Sequence, residues 1–227
     1  MKLHFYDFIY GSIDGTVTTF AIVAGVIGAS LSPEIILILG FGNLFADGFA
    51  MAAANYYALK AKHQFIEMKR KQEELEIDSM AEQEKDEIRE IYKKKGFKDE
   101  LLEEIVRVIT SRRKVWVDTM MKEKLGLIED GKKPLDSSVS TFVGFNLIGV
   151  IPLIPFIVFI LIGIDVTSEA FVYSIISVMA SFFLVGMIKG KIVKKSKIKS
   201  GFYTLIIGGI AALVAYFVGY GINFLIS

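Results

Sequence analysis

Three carboxylates, one carboxamide and one thioether stand out because the stretches that hold them are otherwise almost wholly apolar. Asp7 and Asp14 lie seven residues apart, which puts them on one helical face. Asp47 follows Asn43 by four residues and precedes Met51 by four, so Asn43, Asp47 and Met51 form a single stripe. A carboxylate within hydrocarbon is costly unless it faces a partner, water or an ion. Asp14 and Asp47 therefore read as members of a transport pathway. Asp7 reads either as a third member or as an interfacial acid at the membrane edge. Carboxylate oxygens beside a soft thioether sulfur suit a first-row transition metal better than Mg²⁺ or Ca²⁺.

A second group lies in a charged block between about Lys60 and Asp136, which holds most of the 25 acids and most of the 26 Lys and Arg residues. Glu73, Glu76, Met80, Glu87 and Glu90 fall within an arc of about 100° if the helix carrying them is unbroken. That arc could be a row of metal carboxylates. A solvated helix laced with i,i+4 ion pairs would look similar. Met120 and Met121, with Asp118 before them and Glu123 after, are another soft-plus-hard cluster, although methionines more often fill gaps in cores.

The elements that must position these groups follow from composition. The chain has 227 residues, 53% of them hydrophobic, and a mean hydropathy of +0.50. Crossing ~30 Å of hydrocarbon takes about 20 apolar residues. Such runs occur at about 8–30, 33–59, 140–164, 170–188 and 201–226. Strands are not expected in them, because an open sheet edge in lipid leaves backbone groups unsatisfied. The predicted fold class is an all-α membrane protein, with five transmembrane helices and a cytoplasmic helical domain inserted between spans 2 and 3. The divisions are residues 1–60, 61–137 and 138–227. The first apolar segment is too long for a cleaved leader and lacks a small-residue cleavage pattern. Without cysteine, disulfides and thiolate metal sites are excluded.

Loop charges predict orientation. ASLSPE and GIDVTSEA carry no Lys or Arg, whereas the Lys189–Lys199 loop is dense in lysine. The positive-inside rule places the N-terminus, the charged block and the lysine loop in the cytoplasm, with the C-terminus outside. That loop is expected to fix topology or meet anionic lipid rather than bind nucleic acid. Within the block, one long helix or a broken pair is expected over about 61–94, with Gly96 closing it. A second helix is expected from an Asp99 cap to about Gly126, with Leu102, Ile105, Ile109, Trp116 and Met120 as its apolar stripe. No HExxH or ExxH pair is present, His4 and His63 form no zinc motif, and GFGN lacks the Lys and Ser/Thr of a phosphate loop. An enzyme and an ATP-driven pump are both disfavoured.

The ordered segments YGSIDGTVTTFAIVAGVIG, NLFADGFAMAAANYYALKAK, EIREIYKKKGF, DTMMKEKLGL and IPLIPF resemble the vacuolar iron transporter family over nearly the whole chain. The resemblance implies five spans, a homodimer with the pathway between protomers, and a cytoplasmic helical metal-binding domain. It also implies proton-coupled export of Fe²⁺, with Mn²⁺ tolerated, as bound substrate and with no prosthetic group. By the same resemblance, Asp7 and Asp14 match the two first-span acids and Met51 the second-span methionine. Glu87 and Glu90 match paired glutamates, Glu76 a further one, and Met120 and Met121 the paired methionines. Three positions depart: Asn43 stands for a glutamate, with Asp47 one turn along; Lys124 stands for a glutamate, with Glu123 beside it; and Ser79 stands for an acid unless Glu73 and Glu76 form that pair.

The expected host is a prokaryotic cell membrane, from the short loops. Two rivals remain open on the sequence alone. One is a metal sensor or membrane scaffold whose charged helices bind metal or a partner without transport. The other is a transporter of a different substrate in which the charged block is a rigid spacer.

Overall fold

The structure, a computed structural model, describes residues 4–163 and 168–226, apart from the side chains of Pro33, Ser168, Glu169 and Ala170. All its regular elements are helical: α1 (Phe5–Gly28), α2 (Pro33–Ser79), α3 (Ala81–Lys94), α4 (Asp99–Thr110), α5 (Arg113–Thr119), a π-helical turn (Met120–Lys124), α6 (Pro134–Gly149), a 3₁₀ turn (Ile151–Leu153), α7 (Ile154–Leu161), α8 (Ser168–Ile192) and α9 (Lys197–Ile226). Five helical stretches are long and apolar enough to cross a membrane, the third being α6 and α7 joined through the 3₁₀ turn. Pro152 and Pro155 lie at that join, where missing amide donors interrupt an α-helical ladder. Most of the loop GIDVTSEA lies outside the described residues.

The chain divides into two compact units, Met1–Tyr57 with Lys132–Ser227, and Ala58–Gly131. In the first, α1 is the central element. Its glycines let other backbones come close: a Cβ on Gly11 would stand 2.2 Å from the Thr141 carbonyl, and one on Gly15 2.3 Å from that of Phe145. Gly144 of α6 returns the contact, 2.2 Å from the Phe8 carbonyl. Towards the other end, Gly28 meets Tyr216 and Gly219 of α9 meets Gly25 in the same way. Small residues of this kind are what close helix packing in lipid requires. Ser12, Thr16 and Thr19 are buried on α1, and Ser137, Ser138 and Thr141 on α6. Asn55 of α2 donates to Thr141 Oγ1 at 2.8 Å and to Ser137 Oγ at 3.3 Å.

The second unit packs Ile66, Ile77, Ile88, Val106, Ile109, Trp116, Val117, Met120 and Met121 into one apolar core. Two breaks shape it. Met80 leaves helical geometry at φ −135°, ψ 43°, so the stretch expected as one helix or a broken pair is a broken pair, α2 and α3. The helix expected to run from Asp99 is interrupted between Thr110 and Arg113, and its cap is Lys98, with no capping side chain.

Candidate metal pathway and carboxylate cluster

Two groupings of candidate residues emerge, one in each unit. In the first unit, α1 and α2 meet along a polar seam. Asn43 Nδ2 donates to Thr18 Oγ1 at 3.3 Å, and Thr18 Oγ1 in turn donates to the Asp14 carbonyl at 3.0 Å. Asp14 and Asp47 lie close enough for their charges to act on one another. The register is antiparallel: one turn back on α1, from Thr18 to Asp14, is one turn on along α2, from Asn43 to Asp47. Asp14, Asn43, Asp47 and Met51 are all half-buried. Met51 packs against the apolar core of this unit. Thr18 carries no signal in the sequence alone, since a threonine in an apolar helix usually bonds its own backbone.

Asp7 stands apart from this seam. Both its oxygens accept from Lys132 Nζ at 3.1 Å, and its side chain is 13% exposed. Nearby, His4 approaches Asp136 at 3.8 Å.

In the second unit, α2 contributes Glu73 and Glu76 and α3 contributes Glu84 and Glu87. The break at Met80 brings the two i,i+3 pairs together. Glu73, Glu76 and Glu84 each place an oxygen within 4.8 Å of the others. The side chains of Glu73 and Glu84 are 3% and 2% exposed, and Glu73 Oε2 has no hydrogen-bond partner. Into this group comes the ammonium of Lys124, from the π-helical turn. Its Nζ lies 2.7 Å from Glu87, 3.4 Å from Glu73 and Glu84, and 3.5 Å from Glu76. Turns of π-helix recur at functional sites because the extra residue re-aims the side chains that follow.

The electrostatics match this arrangement. Burial pushes the Glu73 and Glu84 carboxyls above their usual range, and the Lys124 charge opposes that rise. For Lys124, burial alone would lower the affinity for its proton. The hydrogen bond to Glu87 and the charges of Glu73, Glu84 and Glu87 outweigh burial, so it holds its proton more tightly than an ordinary lysine. A divalent ion about 4 Å from this ammonium would be repelled by about 8 kcal/mol at an effective dielectric of ~20, twice the unit-charge value.

The other expected ligands of this unit are placed elsewhere. Glu90 is 57% exposed and pairs with Lys93. Glu123 pairs with Lys95 at 2.5 Å. With Glu87, Glu90 and Lys124 they line an open polar cleft of about 500 Å³. Met120 and Met121 are buried among the core side chains. Glu84 was not among the expected ligands; the repeat of the Glu73–Glu76 spacing in Glu84–Glu87 is the signal that points to it.

A family model described as the VIT family matches residues 5–220. Among curated relatives, the vacuolar iron transporter of Toxoplasma gondii is 36% identical, covering 93% of this chain and 72% of its own length. The vacuolar iron transporter of Plasmodium falciparum is 32% identical, covering 93% and 79%. Vacuolar iron transporter 1 of Arabidopsis thaliana is 32% identical, covering 92% and 82%. None of these organisms is a prokaryote, so the expectation of a prokaryotic cell membrane finds no support in them.

Proposed function

The chain belongs to the VIT family, and from that membership and the α1–α2 seam we propose that it is a multi-pass membrane transporter of Fe²⁺, with Mn²⁺ as an alternative cargo. The observation that carries the reading is the juxtaposition of Asp14 and Asp47, with Asn43 and Met51 a turn to either side. Two carboxylates brought together among apolar helices repel each other when both are ionised, and a cation between them removes that cost. Divalent transition metals bind such oxygen donors, and the thioether of Met51 adds a softer ligand.

The same carboxylates supply the driving force in this proposal. They hold metal only when deprotonated, so loading releases protons and reprotonation from the far side expels the cargo. Net movement is export from the cytosol in exchange for protons, by a homodimer in a lipid bilayer, with no prosthetic group and no nucleic-acid partner. The lysine loop, the N-terminus and the charged unit face the cytosol, and the C-terminus the other side.

Reconstitution into liposomes tests this directly. Protein-dependent accumulation of Fe²⁺ and Mn²⁺ is expected under an imposed proton gradient, with most of it lost in Asp14→Asn and in Asp47→Asn. Absence of flux, flux indifferent to the gradient, or full flux in Asp14→Asn would overturn the reading.

A further inference from the structure

We propose that Lys124 is a tethered cation that occupies the Glu73–Glu76–Glu84–Glu87 cluster in place of a divalent ion, so that this unit folds and functions without metal in that position. The family resemblance leads one to expect metal ligands here. This chain's own residues support something different.

Three observations carry the inference. First, the shared apolar core of α2 and α3 brings four carboxylates from two helices close together, where like charges repel. A cation must compensate them, and Lys124 Nζ is within 3.5 Å of all four. Second, Glu73 and Glu84 are almost completely buried, and a buried carboxylate stays ionised only when paired. No other Lys or Arg among the described residues forms an ion pair with either of them. Third, Lys124 reaches the cluster from a π-helical turn, whereas its neighbour Glu123 points to Lys95. The turn therefore delivers a positive side chain where an acid would complete a ring of oxygen ligands.

An ammonium offers three donors and one charge, and no coordination geometry. It can neutralise and hold acids together, but it cannot pass through the site as cargo does. The consequence is a carboxylate cluster that a divalent ion enters only by displacing Lys124 and overcoming its charge. Glu73 Oε2, buried and without a hydrogen-bond partner, is the donor that such an ion would gain.

The test is equilibrium binding of Mn²⁺ alone to the full-length protein in detergent, near neutral pH, with free Mn²⁺ followed by its electron paramagnetic resonance signal. The parent and Glu73→Gln/Glu84→Gln are expected to bind the same number of ions, because the cluster contributes none. Lys124→Gln is expected to bind an additional ion per chain, which disappears again in Lys124→Gln/Glu84→Gln. A parent that binds more Mn²⁺ than Glu73→Gln/Glu84→Gln would overturn the proposal. So would a Lys124→Gln protein that elutes and melts as the parent does yet gains no site. If Lys124→Gln unfolds, the comparison of the parent with Glu73→Gln/Glu84→Gln still decides the matter, and refolding on addition of Mn²⁺ supports it. Binding is read without flux, so the outcome is separate from that of the transport assay.

Discussion

Lys132 reaches back across most of the sequence to hold Asp7, its ammonium 3.1 Å from each carboxylate oxygen. An acid expected to serve a cation pathway is thus occupied by a lysine from the segment leading into α6. Both side chains are largely buried, 13% and 22% exposed, so neither charge is left fully to water. Removing one partner leaves the other poorly solvated. Asp7→Asn and Lys132→Met are each expected to lower the unfolding temperature in detergent. The double variant should recover part of the loss, with a coupling on the order of 1 kcal/mol. Additive single effects would show that the pair is incidental.

Close approach of α1 and α6 predicts a sharp dependence on side-chain size. A methyl on Gly15 would lie 2.3 Å from the Phe145 carbonyl, where no rotamer relieves the clash. Gly15→Ala should destabilise by about 1–3 kcal/mol, the usual range for overpacking. Gly42→Ala adds its methyl to open space and should be neutral or mildly stabilising. Thermal unfolding of the two variants beside the parent checks the contrast.

Met120 is wholly buried in the core of the second unit. Met120→Ala should cost about 2–5 kcal/mol through the cavity it leaves. Met120→Leu, of similar volume, should cost less than about 1.5 kcal/mol and leave Mn²⁺ binding unchanged. A loss of bound metal in Met120→Leu without a loss of stability would instead mark the sulfur as a ligand.

The buried glutamates give stability a definite dependence on pH. Burial raises the folded-state values for Glu73 and Glu84 above 4.5, so the folded chain keeps protons that the unfolded chain has already lost. Their contribution is fully present below 4.5 and declines as pH rises from there through the raised values. Glu82, Glu103 and Glu123 are shifted the other way by Lys85, Arg89 and Lys95, and their contribution is lost only as pH falls below the ordinary range. Unfolding measured across weakly acidic to neutral pH should therefore show a downward slope that Glu84→Gln flattens. An unchanged slope would mean that Glu84 is not the group responsible.

Much of this was legible before any coordinates. Apolar run lengths located the five helices long enough to cross a membrane, because a helix satisfies its own backbone in lipid, and the loss of that pattern after Leu59 marked the second unit. Spacing alone put Asn43, Asp47 and Met51 on one face. What spacing could not give was the partner of each face. The bond from Asn43 to Thr18 and the pairing of Asp7 with Lys132 depend on which helices pack together. In the charged block, an arc drawn on one continuous helix favoured Glu90. The break at Met80 resets the phase, and the side chains that converge are Glu84 and Glu87 with Glu73 and Glu76. Lys124 was visible as a departure, but that its ammonium goes to the acids follows from the π-helical turn, which no periodicity announces.

The glycine contacts of α1 have a mechanical consequence. Backbone touching backbone at Gly11, Gly15 and Gly144, and again at Gly28 and Gly219, leaves no layer of side chains to shear or re-rotamerise between α1 and its neighbours α6 and α9. Those helices meet α1 backbone to backbone, whereas α2 meets α1 through side chains, Asn43 donating to Thr18.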